Sequence, residues 1–257
     1  MPVPGSARDR AAAAAAAACA ELIERAGPSC VAVKPQLARF EALGAPGWAA
    51  LEATVVAAHE AGLLVIADGK RGDVPVSAAA YGDALFGSTA TPWGEVPGLG
   101  ADAATVNPLL GADSLEPLLE RAAAAAAGLF VLVRTSNPGA ADLLDAETVE
   151  GPLHERIARG VDALAERLAG EGELSGAGAV VGATEPRFLA RLRELMPRAI
   201  LLLPGVGAQG GGVEQLGPAF TERAAALVTA SRSVAGAADP GAEAERLREA
   251  VWAVAAS

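Results

Sequence analysis

The chain has 257 residues, of which 52% are hydrophobic and only 4% aromatic, and its formal net charge is −11 at pH 7. This length suits one α/β barrel with a core of aliphatic side chains, and we predict a single domain over residues 1–257. The negative charge argues against binding to nucleic acid or to an anionic membrane, because both need a basic face. Cys19 and Cys30 have neither metal-ligand spacing nor a disulfide framework, and no signal sequence is apparent, so a reducing, cytoplasmic location is expected.

Apolar runs alternate along the chain with longer helical stretches, a pattern typical of βα units that share a parallel sheet. Helices are expected in the gaps between strands, and the Ala-rich stretches within them are too short to span a bilayer. The polar, Gly-rich stretches 87–100 and 138–151 are predicted to be loops long enough to act as lids. Strands are predicted at residues 30–34, 63–68, 103–107, 129–135, 179–182, 200–204 and 225–230, and helices at residues 8–25, 48–61, 114–127, 153–169, 185–195 and 242–255.

The seven predicted strands are one fewer than a closed (β/α)₈ barrel needs, and the deficit lies at the front of the chain. Pro2, Pro4 and Gly5 disfavour a central strand there, so the first convincing element is already a helix. Either an irregular N-terminal segment closes the barrel or the barrel is incomplete. We therefore predict a TIM-type (β/α) barrel whose first strand is missing or irregular.

Lys34 and Lys70 are the only lysines in the chain, although lysine and arginine together number 20. Each follows an apolar run that is predicted to be a buried strand, so both would lie at strand carboxyl ends, where α/β folds place their chemistry. Unlike guanidinium, a compact ammonium group can give up a proton. Two chance surface lysines would be expected on polar helix faces, and neither residue has such a position.

Asp68 and Asp73 flank Lys70, so that four alternating charges, including Lys34, are expected to meet at this strand end. The carboxylates would keep both lysines protonated, because nearby opposite charges favour the charged forms. A lysine held in this way can deliver a proton to a carbanion. The alternative is a buried ion-pair network that only locks the strand ends, but structural networks usually employ arginine and dry ion pairs seldom add stability.

Two motifs after the last two predicted strands indicate a phosphate site. Residues 203–212 read Leu-Pro-Gly-Val-Gly-Ala-Gln-Gly-Gly-Gly, and their glycines let backbone N–H groups turn toward an anion. Residues 229–233 place Arg232 after the final strand, and the loops after strands seven and eight are the usual phosphate site of such barrels. The glycine run alone is also typical of a flexible turn, whereas both motifs together predict a phosphorylated ligand.

Other polar residues are less informative. Asn107 precedes a proline, so a turn and a ligand contact are both open for it. Ser136, at another strand end, has a hydroxyl and a nearby backbone amide that can recognise a planar imide. His59 and His154 lie in charged helical surroundings and are predicted to be surface residues, so no histidine-based catalysis is expected. Neither metal-ligand spacing nor a dinucleotide fingerprint occurs, and neither a metal nor a cofactor is expected.

Together these motifs resemble the orotidine 5′-monophosphate decarboxylase family over residues 30–237. The Lys-Arg-Gly-Asp sequence, Val-Lys-Pro-Gln at residues 33–36, Thr-Ser-Asn-Pro and the glycine loop look like the longer bacterial branch of that family. Residues 73–77 and 231–233 instead look like its shorter branch. Family members begin with a strand that ends in a ribose-binding Asp, and no residue here matches it. The family's charged tetrad is matched by Lys34, Asp68, Lys70 and Asp73.

The resemblance implies a cofactor-free decarboxylase that converts orotidine 5′-monophosphate to UMP through a C6 carbanion, which Lys70 protonates. Asp68 is implied to lie against the departing carboxylate, and Lys34 to bridge the ribose and the carboxylates. Asp73 and Ser77 are implied to reach into the neighbouring subunit's site, in an obligate homodimer with shared active sites. The other substrate-binding residues implied are Ser136 at the pyrimidine amide edge, Gln209 and Arg232 at the 5′-phosphate, and Pro204 and Ser233 in the same two motifs.

Two other functions are compatible with the same residues. A decarboxylase of the superfamily could act on another phosphorylated compound, since sugar-phosphate members share the Asp-x-Lys-x-x-Asp pattern but use magnesium. Arg71 and Gly72 inside the motif, together with Gln209, favour the nucleotide branch. A catalytically silent barrel that binds a nucleotide or a partner protein would explain the missing first strand but not the retained tetrad.

Overall fold

The structure is a computed structural model that describes residues 5–207 and 210–256. Its centre is a parallel sheet in which each strand pairs with the next one along the chain. Parallel neighbours need a crossover connection, so the helices alternate with these strands as predicted and the fold is of the TIM type. The strands are β1 (Ala32–Val33), β2 (Leu64–Arg71), β3 (Ala103–Val106), β4 (Gly128–Arg134), β5 (Ser175–Val181), β6 (Ala199–Leu203) and β7 (Ala226–Val228).

The helices lie outside this sheet and pack against it. They are α1 (Ala7–Ala26), α2 (Leu37–Glu41), α3 (Gly44–Glu60), α4 (Pro75–Leu85), α5 (Ala112–Ala124), α6 (Ala140–Leu144), α7 (Leu153–Ala163), α8 (Leu189–Leu195), α9 (Arg232–Ala235) and α10 (Pro240–Ala255). A capping box starts α1, because Ser6 Oγ accepts a hydrogen bond from Asp9 N and the Asp9 carboxylate accepts one from Ser6 N. Within the described residues, no helix has the length and apolar character needed to cross a membrane.

The sheet separates two apolar layers, because successive side chains along a strand point to opposite faces. The outer layer lies between the sheet and the helices and holds most of the buried leucines. Ile66 of β2 faces the inner layer. Asp68 follows Ile66 by two residues and therefore lies on the same face of the sheet, at the carboxyl end of β2. The inner layer takes one residue from each of β2 to β6: Ile66, Ala103, Phe130, Val180 and Leu202.

In the described residues at the front of the chain, a helix precedes the first strand, as predicted. Gly5 lies in a bend and Ser6 is the extended N-cap of α1, so neither belongs to a strand. Residues 1–4 lie outside the described residues, and the prediction for them stays a prediction. β1 and β7 stand at the two ends of the strand order, and within the described residues no strand pairing joins them. In the part of the chain that the structure describes, the sheet thus has seven strands, and α1 comes before β1.

Both predicted long loops contain regular structure, which corrects the expectation from sequence. The first contains an antiparallel hairpin of Ser88–Thr91 and Gly94–Pro97. The second contains α6 and a smaller hairpin of Glu147–Thr148 and Gly151–Pro152. Gly94 has φ +118°, which only glycine adopts readily and which permits the tight turn. These short strands are polar and lack apolar alternation, so the pattern that identifies a strand was absent from them.

Candidate active site

Two lysines and one carboxylate meet at the carboxyl end of β2. Asp68 accepts a hydrogen bond from Lys34 Nζ on Oδ2 and one from Lys70 Nζ on Oδ1, the latter over 2.5 Å. Thr105 Oγ1, from β3, donates a further hydrogen bond to Asp68 Oδ1 over 2.9 Å. The Asp68 side chain is only 6% exposed, so it forms the buried centre of this group. We call Lys34, Asp68, Lys70 and Thr105 the Asp68 cluster.

The backbone of β2 is distorted where it carries these groups. Lys70 has φ +49°, a left-handed conformation that costs a non-glycine residue roughly 1–2 kcal/mol. The register between β2 and β3 shifts between Ala67 and Arg71. Lys70 N donates to Thr105 Oγ1 over 2.9 Å, which secures the distorted residue. Irregularities of this kind re-aim side chains at strand ends, and here Lys70 Nζ returns to the carboxylate two residues before it.

The electrostatics of the cluster favour an ionised carboxylate. Burial alone would raise the pKa of Asp68, but the charges and hydrogen bonds of Lys34 and Lys70 outweigh it and hold that pKa below its usual range. Lys34 Nζ and Lys70 Nζ each donate a hydrogen bond to this ionised carboxylate. The cluster therefore holds two cations and one anion in fixed positions.

Asp73 does not join this cluster within one chain, which corrects the expectation that four charges meet at the strand end. Within the described residues, the ion pairs of both lysines are with Asp68. Asp73 Oδ1 instead accepts a hydrogen bond from Val74 N over 2.8 Å. The chain leaves β2 after Arg71 and enters α4 at Pro75, so residues 73–77 are carried past the strand end. Ser77 lies in the first turn of that helix and is half-buried.

The segment that carries Lys34 is tied to β2 beyond the short strand β1. Asp68 N donates to Pro35 O over 3.0 Å, and Gln36 Nε2 donates to Asp68 O over 3.2 Å. These bonds continue the β1–β2 pairing to the level of the carboxylate. Lys34 is thereby held beside Asp68 although β1 has only two residues.

Two contributions to the site were not predicted from sequence. Thr105 follows the inward-facing Ala103 by two residues, so the alternation along β3 could have identified it. Arg71 forms an ion pair with Glu41 of α2, and its guanidinium lies 5.3 Å from the centre of the Tyr81 ring. No local sequence signal connects Arg71 with these partners, because they come from helices on either side of it in the chain.

Ser136 follows β4 and has a tightly constrained backbone. A Cβ atom on Gly182 would lie 2.7 Å from Ser136 Cα, so glycine is required at the end of β5 for this approach. Thr184 Oγ1 donates a hydrogen bond to Ser136 O over 3.2 Å. Thr135 Oγ1 donates to Asn137 Oδ1 over 2.7 Å, which closes the turn around Ser136. Ser136 therefore occupies a defined position at the carboxyl end of the sheet.

Three further polar residues from the sequence analysis, Asn107, His59 and His154, occupy different environments. Asn107 Oδ1 accepts a hydrogen bond from Leu109 N over 3.0 Å, which supports the turn interpretation. His59 is exposed, as predicted. The prediction for His154 was wrong: the residue is 4% exposed, and its Nδ1 lies 2.8 Å from Leu144 O. The segment predicted to be an open loop contains α6, and packing against its end buries the histidine.

The loops after β6 and β7 lie against each other, as the phosphate-site prediction requires. A Cβ atom on Gly207 would lie 3.5 Å from Ser233 Oγ. Pro204 follows the last residue of β6, and Arg232 is the exposed first residue of α9. Gln209 lies outside the described residues. Within those residues, none of the ion pairs includes Arg232.

Comparisons with known proteins identify a family and several similar chains. The profile of the "Orotidine 5'-phosphate decarboxylase / HUMPS family" matches residues 11–247. The chain is 44% identical over 232 residues to the orotidine 5′-phosphate decarboxylase of Rhodopirellula baltica, covering 88% of this chain and 74% of that protein. It is 45% identical over 215 residues to the Deinococcus radiodurans enzyme of the same name, covering 83% and 74%. The solved structure of Leishmania donovani OMP decarboxylase is similar at a TM-score of 0.80 and 36% identity, covering 96% of this chain and 90% of that one.

The match to the family includes the residues that build the site. The matched range contains every residue of the Asp68 cluster and both phosphate-site loops. The structural similarity to the Leishmania donovani protein extends over 96% of this chain. The chain belongs to the orotidine 5′-phosphate decarboxylase / HUMPS family.

Proposed function

We propose that this chain decarboxylates orotidine 5′-monophosphate to uridine 5′-monophosphate without a cofactor. The observation that carries the proposal is the buried Asp68 carboxylate between the ammonium groups of Lys34 and Lys70. The names of the Rhodopirellula baltica and Deinococcus radiodurans relatives support the same reaction. Three of the four charged groups proposed for the reaction, Lys34, Asp68 and Lys70, are thus close together in one chain.

The net charge of the Asp68 cluster suits an anionic reacting group. Within one chain, before a second subunit supplies Asp73, two ammonium groups and one carboxylate leave one positive charge. Preorganised charge of this kind stabilises the negative charge that develops at C6 when the carboxylate leaves. Asp68 holds the lysines in place, and its position against the substrate carboxylate is part of the proposal.

Lys70 is the proposed proton donor. The bond between C6 and the carboxylate breaks, CO₂ leaves, and the electron pair remains on C6. Lys70 Nζ then gives a proton to C6 and becomes a neutral amine, which regains a proton from water. The Lys70 side chain is 43% exposed whereas that of Asp68 is 6% exposed, so the ammonium group is accessible to both substrate and solvent.

The remaining site residues are proposed to recognise the nucleotide. Ser136 contacts the amide edge of the pyrimidine, and Lys34 reaches the ribose. The 5′-phosphate lies between the loops after β6 and β7, where its contacts are Gln209, Arg232, Pro204 and Ser233. Binding energy from this remote phosphate can be used to close the site around the reacting carbon.

Asp73 and Ser77 are proposed to complete the active site of a second subunit in a homodimer. Within one chain Asp73 contacts neither lysine of the Asp68 cluster. The same segment exposes two apolar side chains, since Val74 is 53% and Val76 is 86% exposed. Apolar side chains exposed beside functional polar residues are typical of a surface that a partner covers. These observations support a shared site.

The two cysteines support a reducing, cytoplasmic environment. Cys19 and Cys30 are both free thiols in the structure. Disulfides are rare in compartments where thiols are kept reduced. The proposed pathway step, the formation of UMP, is consistent with such a compartment.

The function is tested by mixing purified protein with orotidine 5′-monophosphate in the presence of a metal chelator and following the ultraviolet absorbance of the substrate. We expect loss of orotidine absorbance and stoichiometric UMP. No turnover with or without added magnesium would contradict the proposal and favour a silent binding barrel. Activity toward a phosphorylated sugar that depends on magnesium would favour the other branch of the family.

A further inference from the structure

A second buried ionic cluster lies beyond the end of β4, and the proposed reaction does not use it. Arg134, the last residue of β4, donates from Nε to Asp145 Oδ1 over 2.7 Å and from Nη2 to Asp145 Oδ2 over 3.1 Å. The Arg134 side chain is only 4% exposed. Such a bidentate pair fixes the orientation of both groups as well as their distance. We call Arg134, Asp145, His154 and Phe188 the Arg134 cluster.

His154 and Phe188 complete this cluster from two further segments of the chain. His154 Nδ1 lies 2.8 Å from Leu144 O and 3.2 Å from Asp145 Oδ1. The Phe188 ring meets the His154 ring edge-on at 4.9 Å, and the Arg134 guanidinium lies 5.0 Å from the Phe188 ring centre. The hydrogen bond from Arg134 holds the pKa of Asp145 below its usual range. The cluster therefore joins β4, the end of α6, the start of α7 and the segment after β5.

The cluster also fixes the backbone around Ser136. Arg134 Nη1 donates to Thr135 O over 2.7 Å, and Gly182 N donates to Arg134 O over 2.7 Å. On the other side, Thr184 Oγ1 binds the carbonyl oxygen of Ser136 itself. The peptide groups before and after the Ser136 Cα atom are thus both held by hydrogen bonds. The direction in which the Ser136 side chain leaves the backbone is set by these contacts.

We propose that Arg134 and Asp145 are positioning residues that aim Ser136 at the pyrimidine ring. The proposal rests on the proposed function, in which Ser136 recognises the pyrimidine amide edge. A buried ion pair seldom adds net stability relative to apolar packing, so orientation is the better explanation of this one. A displacement of about 1 Å in a substrate-positioning group can lower a rate roughly a hundredfold, so small shifts of the Ser136 backbone would be measurable.

The test uses a charge-neutralising variant and a matched control. Asp145→Asn keeps the size of the side chain but weakens its bidentate pair with Arg134. The control is Glu116→Gln on α5, because Glu116 also forms a bidentate pair, with Arg167, in which both N···O distances are 2.6 Å. The control pair is about half exposed and lies outside the site. Both variants therefore remove one carboxylate charge from an arginine pair, but only the first is linked to Ser136.

The affinities of UMP and of ribose 5-phosphate are then measured by calorimetry for all three proteins. We expect Asp145→Asn to weaken UMP binding roughly tenfold, with ribose 5-phosphate within about twofold of its parental affinity, because only UMP carries the pyrimidine. Glu116→Gln should change neither affinity. Unchanged UMP affinity in Asp145→Asn would contradict the proposal. Equal losses for both ligands, including complete loss through unfolding, would show a purely structural role and would also contradict it.

These outcomes are separate from the test of the reaction itself. Both ligands are measured by binding, so the result does not depend on turnover. If the parental protein binds UMP but does not decarboxylate orotidine 5′-monophosphate, the proposed function fails while the positioning of Ser136 is still tested. If decarboxylation occurs, Asp145→Asn should also lower kcat/KM, again by roughly tenfold, while Glu116→Gln leaves it unchanged.

Discussion

The two ends of the candidate site differ in how their cations are held. At the end of β2, Lys34 and Lys70 both bind the buried Asp68 carboxylate. At the ends of β6 and β7, Arg232 is exposed, and no carboxylate in the described part of the chain forms an ion pair with it. The lysines proposed to act on the reacting carbon are therefore held in place by the protein itself. Arg232, which is proposed to bind the phosphate, is expected to become ordered when the ligand binds.

This difference agrees with what each end is proposed to do. Charges that stabilise a transition state act best when they need no reorganisation during the reaction, and the Asp68 cluster meets that condition. A phosphate is present throughout the reaction, so a side chain that binds it can be ordered on binding. The energy released there can then contribute to closing the site. The comparison predicts different responses to substitution at the two ends.

Replacement of Lys70 is expected to have the largest effect. Lys70→Ala should lower kcat by at least about 10²–10⁴, the usual range for loss of a general acid, because the other ammonium group of the cluster, Lys34, is assigned to the ribose. The ultraviolet assay measures this loss. Thermal unfolding serves as the control, and the variant should stay folded because the Lys70 side chain is 43% exposed and its removal leaves no buried cavity. Near-parental turnover would refute the role of Lys70.

The shared-site proposal is tested by mixing two inactive variants, Lys70→Ala and Asp73→Ala. If Lys70 and Asp73 of different subunits form each site, a mixed dimer has one intact site and one site that lacks both residues. Random pairing in equal mixtures should then restore about a quarter of the parental activity. Mass spectrometry confirms that subunits have exchanged. A mixture that stays inactive after exchange would mean that both residues serve the same subunit's site.

Replacement of Arg232 is expected to have a smaller and more selective effect. Arg232→Ala should weaken UMP binding by roughly ten- to a hundredfold, since hydrogen bonds to a charged group contribute about 1.5–3 kcal/mol, while uridine binding stays near its parental value. Calorimetry with both ligands measures the difference. Arg246→Ala on α10 is the matched control, because it removes an exposed arginine whose partner is Glu243. Equal losses for UMP and uridine would exclude the phosphate contact.

The parts of the molecule that could be predicted from sequence are those with local signals. The seven strands follow from short apolar runs separated by helical stretches. Asp68 and Lys70 are two residues apart, so regular alternation predicts side chains on the same face, and the left-handed Lys70 backbone still leaves its Nζ on Asp68. Lys34 meets them because neighbouring parallel strands end at the same edge of a sheet. The meeting of Lys34, Asp68 and Lys70 was therefore predictable from sequence, whereas Thr105 was not predicted.

The remaining contacts depend on segments that are distant in the sequence. Asp145 lies within a polar, glycine-containing stretch, and His154 follows that stretch. This composition is why a loop and a surface histidine were predicted there. Their burial results from packing of α6 and Phe188 against Arg134, and no periodic pattern encodes that packing. Gly182 is a similar case. A side chain at this position would collide with Ser136, and that contact between distant segments cannot be read from the local sequence.

Asp68 is expected to order both lysines before any ligand binds, and the lysine content of the chain allows this order to be measured directly. Because Lys34 and Lys70 are the only lysines, ¹⁵N labelling of lysine Nζ gives two signals in the NMR spectrum, and Lys34→Arg assigns them. In the ligand-free protein at neutral pH, we expect two resolved ammonium signals whose protons exchange slowly with water, since both groups form charge-assisted hydrogen bonds. Asp68→Asn should abolish this slow exchange. Ammonium protons that exchange rapidly in the parental protein until UMP is added would contradict the claim.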